Sequence, residues 1–161
     1  MKFSESYIGR LRRKVGHDLI KVPGGRIVIE DSEGRVLLQQ RSDFGIWGLP
    51  AGCPEDVETA SESIKREVLE ETGLEVLELI PFGYSSNPNY EIVEYPNGDL
   101  IHAYSLLFVC RSWRGRLVQS NEESLALAFF ALDALPEMIP NHRRTLTMYI
   151  QHKQTGQFQL D

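Results

Sequence analysis

The sequence predicts an α/β fold of the α+β kind, in which helices and a mixed β-sheet form a layered sandwich. Strand-like apolar runs alternate with turn signals through most of the chain, and a few segments have helical spacing instead. Strands interleaved with a few helices favour this architecture. The chain has 161 residues, of which 42% are hydrophobic and 25% charged, and these values suit one globular core. We therefore expect a single domain over residues 1–161.

The first third of the chain predicts a helix followed by two strands. Apolar residues have helical spacing over residues 5–15, and Gly16 follows as a stop signal, which predicts a short amphipathic helix. Residues 26–31 and 36–41 are aliphatic runs on either side of a polar turn at 32–35. This pattern predicts a β-hairpin, and a loop rich in glycine and aromatic residues follows it.

The second half of the chain predicts further strands and a closing helix. The clearest turn is the Pro-Asn-Gly-Asp segment 96–99. Pro140 precedes a segment with helical character, which predicts a helix over Asn141–His152 with Asn141 as its cap. The expected strands are the runs 74–79, 91–95, 100–110, 116–119 and 125–132.

Composition and charge exclude several classes of protein. The longest apolar run has eight residues, far fewer than the roughly 18 of a membrane span, so we expect no membrane association. The first residues are polar and the two cysteines are far apart in sequence, which favours the cytoplasm. The net charge of −6 argues against a partner that is a nucleic-acid polymer. We interpret the basic segment 1–26 as a solvated helix face.

A second helix is predicted over about residues 60–72, and it carries carboxylates on an apolar face. Thr59 and Glu62 have the capping-box form, and Gly73 provides a left-handed stop. At about 100° per residue, Glu67 and Glu71 lie on the side of the helix where aliphatic residues are expected to be buried. Buried carboxylates cost several kcal/mol unless they are paired. A hard divalent cation, Mg²⁺ or in its place Mn²⁺, would remove this cost.

The segment Gly52–Leu74 resembles the signature of the Nudix hydrolases. That signature is Gly, five residues, Glu, seven residues, then Arg-Glu-aliphatic-any-Glu-Glu-any-Gly-aliphatic. The run 36–41, the approach 47–50 and the later run 128–136 are also similar to the usual surroundings of this motif. Every specified position is filled, by Gly52, Glu58, Arg66, Glu67, Val68, Glu70, Glu71, Gly73 and Leu74.

The resemblance implies a fold, an activity and a set of residue roles. The implied fold has a mixed sheet between helices, with the motif as loop, helix and loop. The implied activity is Mg²⁺-dependent hydrolysis of a nucleoside diphosphate linked to another group. Glu67, Glu70 and Glu71 would hold the metal, and Gly52 would add its carbonyl oxygen. Arg66 would orient Glu70, and Glu58 would support the cluster from the loop.

Other roles are less closely tied to the motif. Members of the family use either a motif glutamate or one on a later loop as the general base; here Glu122 and Glu123 precede a strand, and Glu123 is our candidate. Arg41 is a candidate phosphate ligand. Candidates to stack on a base are the aromatic residues Phe44, Trp47 and Tyr84, for which packing in the core is the alternative.

The substrate and the assembly stay open at this point. Pro88 and Tyr90 lie near positions associated with ADP-ribose hydrolases and with dinucleoside polyphosphate hydrolases, so the two cues cancel. Nucleotide sugars and ordinary or oxidised nucleoside triphosphates also remain possible. The amphipathic first helix and the resemblance suggest a homodimer. The alternative function is a module that binds a nucleotide without cleaving it.

Overall fold

The computed structural model describes residues 2–161. None of the helices in this range is long and apolar enough to cross a membrane. After a single 3₁₀ turn at Phe3–Glu5, the elements in chain order are α1 (Tyr7–Val15), β1 (Ile20–Ile29), β2 (Val36–Arg41), β3 (Trp47–Gly48), β4 (Ala51–Gly52), α2 (Ala60–Thr72), β5 (Leu74–Val76), β6 (Ile80–Ser85), α3 (Pro88–Glu91), β7 (Ile92–Glu94), β8 (Leu100–Cys110), β9 (Trp113–Gly115), β10 (Ser124–Phe130), α4 (Pro140–Thr155) and β11 (Gln159–Leu160).

The largest sheet is mixed and has the strand order β11-β6-β8-β1-β4, with β7 also paired to β8. Strands β1 and β8 run parallel along the whole length of β1, whereas β6 and β7 run antiparallel to β8. A second sheet has the order β10-β2-β3, and β5 and β9 form a separate pair.

Strand β1 separates two apolar clusters. Ile27 and Ile29 pack in a cluster with α2, and Val28 between them packs in a cluster with α4. Successive side chains of a strand point to opposite faces, so this alternation places one helix on each side of β1. The predicted combination of a mixed sheet with helices is confirmed.

Helix α2 has the predicted boundaries and α1 begins two residues later than predicted, at Tyr7, because the signals of both helices are local. Helix α1 begins after Ser6, whose hydroxyl accepts a hydrogen bond from the Gly9 amide, and it ends at Gly16. Helix α2 begins at a capping box formed by Thr59 and Glu62 and ends at Gly73, which adopts the left-handed conformation. These are the start and stop signals that the sequence shows.

The predicted hairpin of residues 26–41 is wrong. Strand β1 pairs with β8 and β4, and β2 pairs with β10 and β3, so the two strands belong to different sheets. Between them the structure has a single bridge, Glu30 to Val36, at the turn. The turn signal was correct, but it connects two sheets because both strands have longer partners elsewhere.

Other local predictions need smaller corrections. Helix α4 begins at Pro140 and is capped by Ile139, so Asn141 lies inside the first turn and is buried. The run 116–119 is not a strand, and β9 lies just before it. The basic segment is only partly solvated, because the Arg12 side chain is buried and donates to the carbonyl oxygen of Leu100 at 2.7 Å.

Candidate active site

Helix α2 turns two acidic side chains towards the interior. Glu71 is only 3% exposed and lies on the same side of the helix as the buried Ile64 and Val68. Glu67, one turn earlier, has a side chain that is 15% exposed. The spacing that predicts a carboxylate-bearing apolar face therefore describes the helix correctly.

A third carboxylate completes a cluster on this face. Glu67, Glu71 and Glu123 each offer a carboxylate oxygen, and these oxygens lie within 4.8 Å of one another. Glu123 comes from the loop before β10, more than fifty residues away from the helix in sequence. The cluster is therefore a product of the tertiary fold.

Asn121 connects that loop to the end of α2. Its amide nitrogen donates to the carbonyl oxygen of Glu71 at 2.9 Å. Its amide oxygen accepts from the backbone N–H groups of Glu123 at 2.9 Å and Ser124 at 2.8 Å. One side chain thus satisfies a free carbonyl at the helix terminus and fixes the loop that carries Glu123.

Gly52 lies directly against Glu67. A Cβ atom at this position would come within 2.1 Å of the carboxyl carbon Cδ of Glu67. Strand β4 carries Gly52 and pairs with β1 at Gly25, so the sheet fixes its backbone. No side chain fits here, because any Cβ would displace the carboxylate.

Burial makes it energetically costly for the Glu67 and Glu71 carboxylates to be ionised in the metal-free protein. It raises the pKa of Glu71 to about 8, although the charge of Arg41 opposes the shift. It raises the pKa of Glu67 to about 7, with Arg66 opposing the shift. The backbone N–H of Ala51 donates to Glu71 Oε2 at 3.1 Å, which satisfies one acceptor. The remaining oxygen atoms are suited to a cation.

Arg66 joins the loop before α2 to the carboxylates. Its Nε donates to Glu58 at 2.6 Å and its Nη2 to the other oxygen of Glu58 at 2.9 Å. Its Nη1 lies 3.0 Å from Glu67 and 3.2 Å from Glu70. The guanidinium keeps the pKa of Glu58 below 4.5. Arg66 therefore contacts three acids at once, where the resemblance implied a role towards Glu70.

The carboxylates line a cavity of about 670 Å³ together with aliphatic side chains from α1 and the largest sheet. Arg41 also lines it, with its guanidinium held by both oxygens of Asp43 at 2.9 and 2.7 Å. The ring of Phe44 lies 5.1 Å from that of Tyr95, and both border the cavity. This volume suits a small organic ligand with a charged group at one end.

The candidate ligands of this cluster are of the type that a hard cation prefers. All the candidate ligands are oxygen atoms, and the three side chains of the cluster bring up to three negative charges into a half-buried space. Mg²⁺ and Mn²⁺ prefer such ligands. His142 borders the cavity but is no candidate ligand: its Nδ1 accepts from the Leu49 amide at 3.0 Å. Burial also lowers its pKa well below 6.5, which keeps the ring neutral.

Comparison with known proteins agrees with this site. The sequence profile of the NUDIX domain matches residues 21–149, which is most of the chain. The chain belongs to the Nudix family. The residues matched contain the whole carboxylate cluster and exclude α1. The predicted resemblance is confirmed, and the chain is assigned to the hydrolases that act on phosphorus-containing anhydrides.

Several proteins with Nudix-type names are similar to this chain. The ADP-ribose pyrophosphatase of Methanocaldococcus jannaschii is 28% identical over 138 residues, 85% of this chain and 76% of that protein. The putative 8-oxo-dGTP diphosphatase of Bacillus subtilis is 26% identical over 76% of each chain. The crystal structure of a MutT NUDIX hydrolase from Burkholderia pseudomallei superposes with a TM-score of 0.67 at 25% identity, and the match covers 80% of this chain and 98% of that one.

The sequence-predicted residues of this Nudix site divide into two groups. Gly52, Glu58, Arg66, Glu67, Glu70, Glu71 and Glu123 all lie at or beside the cluster, and Arg41 and Phe44 line the cavity. Glu70 stands at the rim: its side chain is 42% exposed and paired with Arg66.

Trp47 and Tyr84 lie elsewhere. The Trp47 ring packs edge-on against Phe130 at 4.9 Å beside the apolar core. Tyr84 lies on β6 opposite Leu106 and Leu160. Neither borders the cavity, and packing in the fold, the alternative stated for them, accounts for both side chains.

Sequence reasoning missed Asn121, Tyr95 and Gln39. Gln39 is buried beside the cluster and accepts from the Ser124 hydroxyl at 2.7 Å. Asn121 and Tyr95 stand in loops and Gln39 in a strand, and each reaches the site through contacts distant in sequence. An Asn two residues before Glu123, in the form of an Asx turn, was the one local signal available.

Proposed function

We propose that this Nudix protein is a Mg²⁺-dependent pyrophosphohydrolase that cleaves the diphosphate of a nucleoside diphosphate linked to another group. The observation that carries the proposal is the cluster of Glu67, Glu71 and Glu123 at the charged end of a cavity large enough for a nucleotide. Carboxylates alone would repel a diphosphate, so a cation must lie between them.

Glu67 and Glu71 are the residues that would hold the ion, with the Gly52 carbonyl beside them. A bound divalent cation would supply positive charge against the diphosphate and make water a stronger acid. Arg66 fixes Glu67 in place, and Glu58 fixes Arg66. Glu70 at the rim completes the acidic surface where a further cation would be attracted.

Glu123 is the proposed proton acceptor for the attacking water. It is exposed to solvent on the side of the cavity, unlike Glu71, and its loop is held by Asn121. Arg41 pairs across the sheet with Ser124, next to Glu123, and its guanidinium, held by Asp43, is the proposed ligand of a phosphate oxygen. The water adds to phosphorus, the bridging P–O bond breaks, and the proton passes to the Glu123 carboxylate.

The names of the relatives suggest the substrate class. One acts on ADP-ribose and another is described as acting on 8-oxo-dGTP, and both compounds contain a nucleoside diphosphate linked to a further group. This shared unit defines the proposed substrate. Homodimer formation and cytoplasmic location stay predictions; light scattering at tens of micromolar protein would test the first.

Product analysis would test the proposal. Purified protein would be incubated with Mg²⁺ and separately with ADP-ribose, UDP-glucose, dGTP and 8-oxo-dGTP, and nucleoside monophosphate release would be measured by chromatography. We expect release from at least one compound, its loss in excess EDTA, and its return with Mg²⁺ or Mn²⁺. Saturable nucleotide binding without any turnover would instead favour the non-catalytic module. Undiminished turnover in EDTA would contradict the metal-dependent mechanism.

A further inference from the structure

Helix α1 and the turn before it form one wall of the cavity. Phe3, Ile8 and Arg12 line the same space as Glu67 and Glu71. These residues lie outside the range 21–149 that matches the family profile. The wall therefore lies outside the part of the chain that matches the family profile.

The wall is attached to the site by specific contacts on one side. The backbone N–H of Tyr7 donates to the Glu55 carboxylate at 2.8 Å, and Arg10 pairs with Asp56 at 2.6 Å. Both acids belong to the loop before α2. The Glu55 amide in turn donates to Glu58 at 2.9 Å, and Glu58 holds Arg66. The helix thus joins the loop that supports the carboxylate cluster.

On the other side, Arg12 fastens α1 to the turn before β8. Its guanidinium donates to the carbonyl oxygens of Asp18 and Leu100, both at 2.7 Å. The side chain is only 8% exposed, and its Nε lies 3.6 Å from Asp99 Oδ2, within ion-pair distance. This Nε is itself shielded from solvent, so Arg12 serves to hold α1 in place.

The end of the cavity next to α1 is mainly aliphatic, although Arg12 and Asp99 also line it. Ile8 of α1 shares it with Val22 of β1, Val93 of β7 and Ile101 of β8. Along β1, Val22 precedes Gly25 by three residues, and Gly25 pairs with Gly52 at the carboxylate end. At about 3.3 Å per residue, the apolar end is on the order of 10 Å from the charged end.

The charged end and the aliphatic end of the cavity match the phosphate end and the base end of a nucleotide. The diphosphate must lie at the charged end, because only there can cations neutralise it. The base has flat apolar faces and polar edges, and it suits an apolar pocket with a few hydrogen-bonding groups. Resting on the proposed function, we propose that α1 is a specificity-determining wall that contacts the base of the substrate, with Ile8 as the apolar contact.

The test uses the full chain and ligands that a pyrophosphatase cannot cleave. Calorimetry would measure the binding of AMP, GMP, CMP and UMP, and of inorganic phosphate as a probe without a base, all with Mg²⁺. The variants are Ile8→Ala and, as a matched control, Leu11→Ala. Leu11 is also an aliphatic residue of α1 and is also half-buried, but it does not line the cavity. Thermal melts would report any loss of folding in either variant.

We expect wild-type protein to bind at least one of these nucleotides more tightly than phosphate. Ile8→Ala should weaken the binding of that nucleotide roughly tenfold, because several carbon atoms of contact are lost, and leave phosphate binding within about twofold. Leu11→Ala should change neither. For a substrate that is turned over, Ile8→Ala should raise KM and leave kcat nearly unchanged.

The results distinguish a failure of the role proposed for α1 from a failure of the proposed function. Unchanged nucleotide binding in Ile8→Ala, or an equal loss in Leu11→Ala, would overturn the role of α1 while the proposed function stands. If wild-type protein bound none of the nucleotides and released no monophosphate from the substrate panel, both proposals would be refuted.

Discussion

Replacing Glu71 by Gln separates the catalytic use of this carboxylate from its structural cost. The change keeps the shape of a side chain that is 3% exposed and removes its negative charge. The matched control is Glu62→Gln, the same chemical change on the same helix. Glu62 lies at the capping box, where its carboxylate accepts from the Thr59 amide and hydroxyl, both at 2.8 Å.

The expected loss of activity follows from the position of Glu71 in the cluster. Its carboxylate lies within 4.8 Å of those of Glu67 and Glu123, so it would share the ion with Glu67. Removing one preorganised charge of this kind lowers turnover about 10²-fold or more, equivalent to about 2.7 kcal/mol of transition-state stabilisation. Glu62→Gln should keep nearly full activity and lose only a little helix stability.

Although Glu71→Gln should lower activity, it should raise the stability of the metal-free protein. Burial raises the pKa of Glu71 from 4.5 to about 8, so at pH 7 the metal-free folded state carries a cost that the unfolded state lacks. At about 1.4 kcal/mol per pH unit above the ordinary pKa, this cost is of order 3 kcal/mol. Glu71→Gln removes it, and the melting temperature of the metal-free variant should rise by several degrees.

Steady-state kinetics with Mg²⁺ and thermal melts in EDTA would measure both effects. Equal activity losses in the two variants, or full activity in Glu71→Gln, would show that this face of α2 is not the metal site. A lower melting temperature of metal-free Glu71→Gln would refute the electrostatic part of the reasoning.

Three further predictions concern the surroundings of the cluster. Gly52→Ala places a methyl group 2.1 Å from the Glu67 carboxyl carbon, so kinetics should show at least about a tenfold loss of turnover while circular dichroism shows a folded protein. Asn121→Ala frees the loop of Glu123, so kcat should fall at least about tenfold; an unchanged kcat would argue against Glu123 as the base. In EDTA, denaturant titrations should show stability falling as pH rises from about 5 to about 8, because the raised pKa values of Glu67 and Glu71 mean that the folded state holds protons that the unfolded state has lost. Saturating Mg²⁺ should weaken or reverse that slope, and a flat profile in EDTA would contradict the prediction.

The parts of the fold that follow from the sequence depend on short-range signals. Helix α2 is bounded by Thr59 and Gly73, and its face is set by a fixed angle per residue, so both its limits and its buried carboxylates can be read from a dozen residues. The predicted hairpin failed because strand pairing is a competition over the whole chain. Strand β1 finds a longer partner in β8, which lies some eighty residues later.

The residues of the site were likewise predicted where the signal is local in sequence and missed where it depends on long-range contacts. Glu67 and Glu71 were predicted because they share one helix, and Glu123 was a candidate only by its place before a strand. Asn121, which holds Glu123 beside them, could not be predicted, because its role requires the carbonyl end of α2 to lie next to that loop. The buried position of Arg12 was missed for the same reason: its carbonyl partner Leu100 is 88 residues away.

The arrangement of charge around α2 explains why a stable protein keeps such a cluster. Arg66 is shared by Glu58, Glu67 and Glu70, so one cation is set against three acids, and Glu71 has no direct ion pair among the described residues. An arginine paired directly with Glu71, closer than Arg41, would relieve the repulsion further, but it would also occupy the space that a cation and a diphosphate need. The fold instead fixes the acids through neutral groups: the Ala51 amide donates to the Glu71 carboxylate, and the Asn121 side chain bonds the backbone of Glu71 and of Glu123. These bonds orient the acids without neutralising them, so the negative charge remains available to an ion, and the metal-free fold is less stable as a result.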